Sequence, residues 1–312
     1  MAKEFPQGFI WGTSASSYQT EGAHLTDGRG PCTWDTFSQI PGKIENGDTG
    51  NIAADHHHRY KEDIALLAKM GIKHYNLSVS WSRVQPLGRG KVNPKGIQFY
   101  SDLIDELIKH GITPWIHLYH WDIPTALQLE TDGFLNPDIA DYFGLNHYST
   151  SLAENADLNK EYKINVYDNG GLYEDEKVIL HADPRWKKTE MGWNVVPWGL
   201  QKLLNRVGKR YHHPEIFITE NGVATDDKIV NGTVNDQDKI DYLNGYIAEA
   251  HKTIQDGVNL KGYFVWSFID NFEWALGYSK RFGLHHVDFK TGKRIPKKSA
   301  YWFKKVIKNN RI

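Results

Sequence analysis

Six short apolar runs, at 9–12, 72–78, 113–118, 142–146, 216–219 and 260–267, each end in polar or aromatic side chains. Between several of them lie stretches of helical period. Residues 59–70 carry Ile64, Leu67 and Ala68 and stop at Gly71. Pro94 opens a second stretch with Ile97, Tyr100, Ile104, Leu107 and Ile108, closed by Gly111. Leu200, Leu203, Leu204 and Val207 mark a third, and Asp236 caps a fourth with Ile240, Leu243, Ile247, Ala250 and Ile254 before Gly257. A last helix is expected over 297–309, while 149–197 shows no strong period. Strand, polar end, helix, glycine, strand is the alternation of a parallel α/β sheet, because parallel strands need a crossover and a helix supplies it. No internal repeat or linker interrupts it, so one domain over 1–312 is the expectation.

A net charge of −1 gives no basic footprint for nucleic acid or for anionic lipid. No apolar run approaches membrane-spanning length. Cys32 is the single cysteine, so no intrachain disulfide is available, and the start MAKEFPQGFIW lacks the pattern of a secretory signal. The expected location is the cytoplasm. Aromatic residues make up 13% of the chain, with eleven tryptophans, which suits stacking on sugar faces as well as filling a core.

The apolar run at 216–219 delivers one carboxylate, Glu220, into Asn221-Gly222. A buried strand that stops at an acid before a turn is how an α/β protein presents a reactive group, so Glu220 is the candidate nucleophile. His56, His57 and His58 do not read as a metal site, since three adjacent side chains at a helix start cannot all turn to one ion. The sequons at Asn76 and Asn231 carry little weight without a secretory signal.

The stretches FIWGTSASSYQTEGA, TWDTF, SWSRVQP, HLYHWDIP, GLNHYST, ITENG and FVWSFIDNFEWALGYSKRFGL occur in this order. With them the chain resembles glycoside hydrolase family 1, the retaining β-glucosidases on a (β/α)8 TIM barrel. The resemblance implies that Glu220 is the nucleophile and that Tyr148 hydrogen-bonds it. It implies further that Gln19, His120, Trp121, Asn146, Glu273 and Trp274 hold the sugar, with Trp266 stacking beneath it. No cofactor or metal is called for; the implied partner is a β-glycoside or monosaccharide.

Two departures bear on the chemistry. The family's general acid/base glutamate lies in an Asn-Glu-Pro motif, and no such motif occurs here. The chain passes from HLYHWDIP to GLNHYST, the family's third unit running into its sixth, across a junction near 136–143 where IADYF would suit either side. Glu130 and Glu154 are the nearby acids, and both are expected to be solvated surface groups. The second departure is Asn76, where the resemblance expects an arginine that contacts the nucleophile; without that cation the Glu220 pKa should rise. The fold class expected is therefore a TIM-type barrel reduced to about six βα units. Either the fourth strand closes a smaller barrel beside the third, or a gap remains whose strand edges invite pairing with a second chain. Three functions stay open: an impaired β-glycosidase, a sugar-binding protein without turnover, or a minimal-barrel scaffold.

Overall fold

The structure is a computed structural model that describes residues 2–131, 145–155, 171–173 and 178–312. The junction near 136–143 lies outside the described residues.

Six parallel strands form one sheet: β1 (Ile10–Ala15), β2 (His74–Ser78), β3 (Thr113–His117), β4 (Leu145–Asn146), β5 (Ile216–Asn221) and β6 (Leu260–Trp266). Their spatial order is β3-β2-β1-β6-β5-β4. β1 pairs with both β2 and β6, joining the two ends of the chain through register pairs Ser14↔Asn76 and Ser14↔Trp266. The result is a half-barrel, part of a TIM barrel. β3 and β4 are its two edges and do not pair with each other. Among the described residues β3 and β4 form no ladder with each other, so the smaller closed barrel is not formed; β4 is held to β5 by Leu145↔Ile218 and Asn146↔Glu220. On the β3 edge Ile116 and Leu118 are exposed.

Helices α1 (His56–Met70), α2 (Pro94–Lys109), α3 (Thr125–Thr131), α4 (Pro197–Arg210), α5 (Gln237–Gln255) and α6 (Lys298–Asn309) pack outside the sheet. α1 ends where Gly71 takes φ +83° and its amide bonds Leu67 and Ala68, a left-handed cap that costs glycine no Cβ clash. At the start of α2 the Asn93 side chain accepts from Lys95 N, with Pro94 in the first turn. Its buried face is Phe99, Tyr100, Leu103 and Leu107, so Ile97 and Ile108, expected inside, are exposed. Asp236 does precede α5, but its carboxylate makes no cap bond; it accepts from Ser299 N (2.8 Å) and from the Ser299 hydroxyl, tying α5 to α6.

Within the half-barrel, Trp115 of β3 meets Phe217 of β5 at 4.9 Å and Phe264 of β6 at 5.2 Å, centroid to centroid. A Cβ on Gly12 would lie 2.3 Å from Phe264 Cδ1, so the glycine makes room for this aromatic plug. Phe264 is buried while Trp115 and Phe217 are half-buried, so the cluster packs the interior of the half-barrel on the side of β3. The stretch 149–197, read as irregular, contains short antiparallel strands Leu152–Asn155, Gly171–Tyr173 and Val178–His181. Asn231 and Gly232, both at positive φ, turn a hairpin between Ile229–Val230 and Thr233–Val234. Asn76 is buried in β2, which closes its sequon to modification.

Candidate active site

Glu220 sits at the end of β5, buried among neighbours as distant in sequence as Tyr148 and His120. The Tyr148 hydroxyl donates to Glu220 Oε2 at 2.7 Å, and Asn146 lies beside it, its Oδ1 accepting from Thr219 Oγ1 at 2.8 Å. The register pair Asn146↔Glu220 explains that proximity. Burial pushes the Glu220 carboxyl up to about 7, against the pull of Tyr148 and Asn146. Burial likewise drives the Tyr148 phenol well up, with the Glu220 charge adding to it, so the phenol remains a donor.

Glu273, in the loop after β6, is also buried, and its Oε2 has no hydrogen-bond partner. Burial and then the Glu220 charge raise it to about 8. His120 brings Nδ1 to 3.8 Å from Glu220 Oε1, too far for a hydrogen bond. Burial, followed by His117, holds its pKa down to about 4, so its ring is neutral near pH 7. The imidazole lies nearly parallel to Trp266 (5.8 Å, 18°) and to Trp274 (6.1 Å, 15°). Trp121, 55% exposed, leans on Trp274 at 4.9 Å and forms the rim.

Gln19 is near the group but turned to structural use. Its amide nitrogen donates to Asn271 Oδ1 (3.3 Å) and Phe272 O (2.9 Å), and its oxygen accepts from Ser16. Both amide hydrogens are committed to the loop that carries Glu273. Asp122, not singled out in sequence, fixes the turn bearing His120: it accepts from Ser17 Oγ at 2.8 Å, and burial raises it to about 6. A second unforeseen support is Ser14, whose hydroxyl donates to Thr219 O at 2.5 Å and accepts from Asn76 Nδ2 at 3.2 Å. The only advance signal for either was its place at a strand end.

The spare acids lie elsewhere. Glu130 is exposed and ion-paired with Arg89. Glu154 is placed in the strand opposite Ile179, but its side chain lies outside the described residues. The three adjacent histidines diverge, His56 to Asp63, His57 onto the Phe99 ring and His58 to Asp55. Asp227, Asp270 and His286 bring ligand-type atoms within 4.8 Å of one another. There the buried Lys297 ammonium already pairs with both carboxylates, at 2.7 Å from Asp270 Oδ1. Burial opposes the Asp270 charge, but Lys297, Arg281 and Lys239 outweigh it and keep the carboxyl low. A lysine fills that cluster.

A half-barrel of parallel strands whose carboxyl ends gather buried carboxylates and indoles defines a barrel-type α/β protein of the kind that acts on small polar molecules. The family model described as glycosyl hydrolase family 1 matches residues 1–144 and 137–312, and the chain belongs to that family. Beta-glucosidase A of Thermotoga maritima is 37% identical over 442 aligned residues, covering 99% of this chain and 98% of the relative. Beta-glucosidase A of Acetivibrio thermocellus is 34% identical, covering 98% of each. The solved family 1 β-glucosidase from Thermotoga maritima superposes with TM-score 0.88 at 34% identity, covering 100% of this chain and 99% of that one; its complex with isofagomine lactam gives 0.89. An alignment of 442 positions against 312 residues makes this a shortened form. Residues 137–144 belong to both matched pieces, where IADYF reads either way. No described helix is long and apolar enough to cross a membrane.

Proposed function

We propose that this chain is a one-domain β-glycosidase-like protein of retaining type, in which Glu220 still serves as nucleophile and the acid/base step is lost; the alternative is a sugar-binding protein without turnover. The observation that carries the reading is Glu220 bonded by Tyr148 at the end of β5, with Asn146 as its register partner and His120 and Trp266 beside it. A phenol bonded to one oxygen leaves the other free to attack, and indole and imidazole faces suit the apolar side of a sugar ring. In this reading Gln19 acts through the loop it holds, Glu273 and Trp274 read hydroxyls, and Trp121 closes the rim.

Retaining hydrolysis needs a second carboxyl about 5 Å from the first to protonate the leaving oxygen and then to activate water. The missing Asn-Glu-Pro motif removes it, and Glu130 is engaged with Arg89 on the surface. Loss of such assistance costs about 100- to 10,000-fold, so natural glycosides turn over weakly or not at all.

The test is release of dinitrophenol from 2,4-dinitrophenyl β-glucoside, with and without azide, beside Glu220→Gln. An activated leaving group bypasses the acid, and azide bypasses the base. A burst or azide-stimulated turnover that vanishes in the variant supports an attacking Glu220. Equal silence in both proteins sinks the enzymatic reading and leaves sugar binding without turnover.

A further inference from the structure

Lys239 lies on the first turn of α5, 1% exposed, with its ammonium turned inward. Three consecutive backbone carbonyls converge on it: Arg281 O at 2.9 Å, Phe282 O at 3.1 Å and Gly283 O at 3.0 Å. An ammonium has three N–H donors, so this clasp uses every one of them. The same segment is gripped from its other side, where Gly283 N donates to Asp270 Oδ1 at 2.9 Å and Lys297 Nζ donates to that oxygen at 2.7 Å. Phe282 O accepts as well from Ser267 N at 3.4 Å, directly after Trp266.

Taking an ammonium out of water is costly, and only hydrogen bonds and opposite charge around it offset the cost. Burial and then Lys297 hold the Lys239 pKa down to about 8, while Asp227, Asp236 and Asp270 pull it up. Beyond Asp270 stand Arg281 and His286. The clasp reaches the nucleophile through Phe282. That ring, 2% exposed, meets Tyr148 edge-on at 6.1 Å (85°) and Trp193 at 6.1 Å. One turn beyond Lys239 on α5, the Tyr242 hydroxyl donates to Tyr148 O at 3.1 Å and accepts from Asn221 Nδ2 at 3.2 Å. Helix α5 thus sets Tyr148 twice, its backbone through Tyr242 and its ring through Lys239 and Phe282.

We propose that Lys239 is a positioning residue for Glu220: by clasping the carbonyls of 281–283 it seats Phe282 against Tyr148, whose hydroxyl orients the Glu220 carboxylate. This rests on the reading that Glu220 attacks. Losing the ammonium proton removes one of the three donors and turns a lone pair towards the carbonyls. The clasp therefore loosens as pH rises through 8, Tyr148 loses its backing and attack slows. Glu220 ionises near 7, so the rate climbs before it falls.

The test is the dinitrophenol burst from 2,4-dinitrophenyl β-glucoside between pH 6 and pH 10 in the unaltered protein, Lys239→Met and Lys239→Arg. The unaltered burst should peak near pH 8 and fall beyond it. Lys239→Met should burst about tenfold more slowly or worse at the peak, with little change in the half-saturating glucoside concentration. Lys239→Arg keeps its charge throughout and should burst without the alkaline fall. A methionine variant that matches the unaltered protein in rate and profile overturns the proposal. So does an alkaline fall that persists in the arginine variant, since that fall belongs to Glu273. The fluorine NMR signal of Trp193 in fluorotryptophan-labelled protein reads the clasp without catalysis, and its change around pH 8 should be lost in both variants. A silent burst with a Lys239-dependent Trp193 signal removes the attacking Glu220 and leaves the clasp; the same signal change in all three proteins removes the clasp. Where one variant does not fold, the other and the Trp193 signal decide.

Discussion

Replacing Glu273 by glutamine should make the protein less sensitive to alkaline pH, by an amount the buried carboxyl sets. Its pKa stands at about 8 in the fold against an ordinary 4.5. Below 4.5 both folded and unfolded chains hold the proton and pH has no leverage. Above it the unfolded chain gives up the proton while the folded one retains it, so stability falls as pH rises towards 8. At about 1.36 kcal/mol per unit, this one group removes roughly 3 to 4 kcal/mol between pH 5 and pH 8. Glutamine has the same shape and no proton to lose. Urea unfolding of both proteins at pH 5 and pH 8 should therefore show the variant gaining about 3 kcal/mol on the unaltered protein over that interval. Glu220 is present in both and cancels to first order. Parallel stability curves for the two proteins would refute the claim that Glu273 is buried uncompensated.

The Glu220 burst should strengthen from pH 6 to pH 8, because only the carboxylate attacks and its pKa is about 7; a burst flat across that range, measured by stopped flow, would count against it. Glu21→Ala strips the partner from Arg83, whose Nε lies 3.0 Å from Glu21 Oε2 in a side chain 1% exposed. The expected cost in chemical denaturation is about 3 to 5 kcal/mol, and under 1 kcal/mol would show the pair to be solvated. Gly12→Ala should cost roughly 1 to 3 kcal/mol by the same assay, since its methyl meets Phe264 and the His74 carbonyl. The open β3 edge with Ile116 and Leu118 exposed should support self-association in sedimentation, lost in Ile116→Lys; a monomer at every concentration rules it out.

Much of this was legible in the chain because local signals and tertiary outcome agree. Pro94 with Asn93, and Gly71 after Met70, bound helices as their chemistry dictates. Glu220 stood out at a strand end, whereas Tyr148, Trp266 and Glu273 were named only through the family resemblance. Periodicity failed where the register of burial is set by a neighbour: Ile97 and Ile108 fit a helical stripe as well as Phe99 and Leu103 do, and only the sheet decides which face is covered. Ser14 and Asp122 could not be read as supports, because a small hydroxyl or a carboxylate declares its role only through its partners, Thr219 O and Ser17 Oγ. The short strands within 149–197 escaped because each spans at most four residues, too few to show a period. The choice between a closed and a gapped barrel was likewise invisible, since both use the same six strands.

On the proposed reading, the sheet order explains why the shortening would fall on one half of the chemistry. Hydrogen-bond continuity runs β3-β2-β1-β6-β5-β4, through the contact between the first and last strands, and not along the chain. The four consecutive members β1, β6, β5 and β4 carry Ser14, Trp266, Glu220 and Asn146, and Glu273 and Tyr148 follow directly from two of them. Removing units between β3 and β4 therefore breaks no described ladder that supports the proposed nucleophile. It deletes only the wall opposite, where the resemblance puts the proton donor. What remains is a carboxylate with its phenol, amide and indole intact, facing a side from which no second carboxyl has been identified; binding and attack survive such a cut more readily than turnover does.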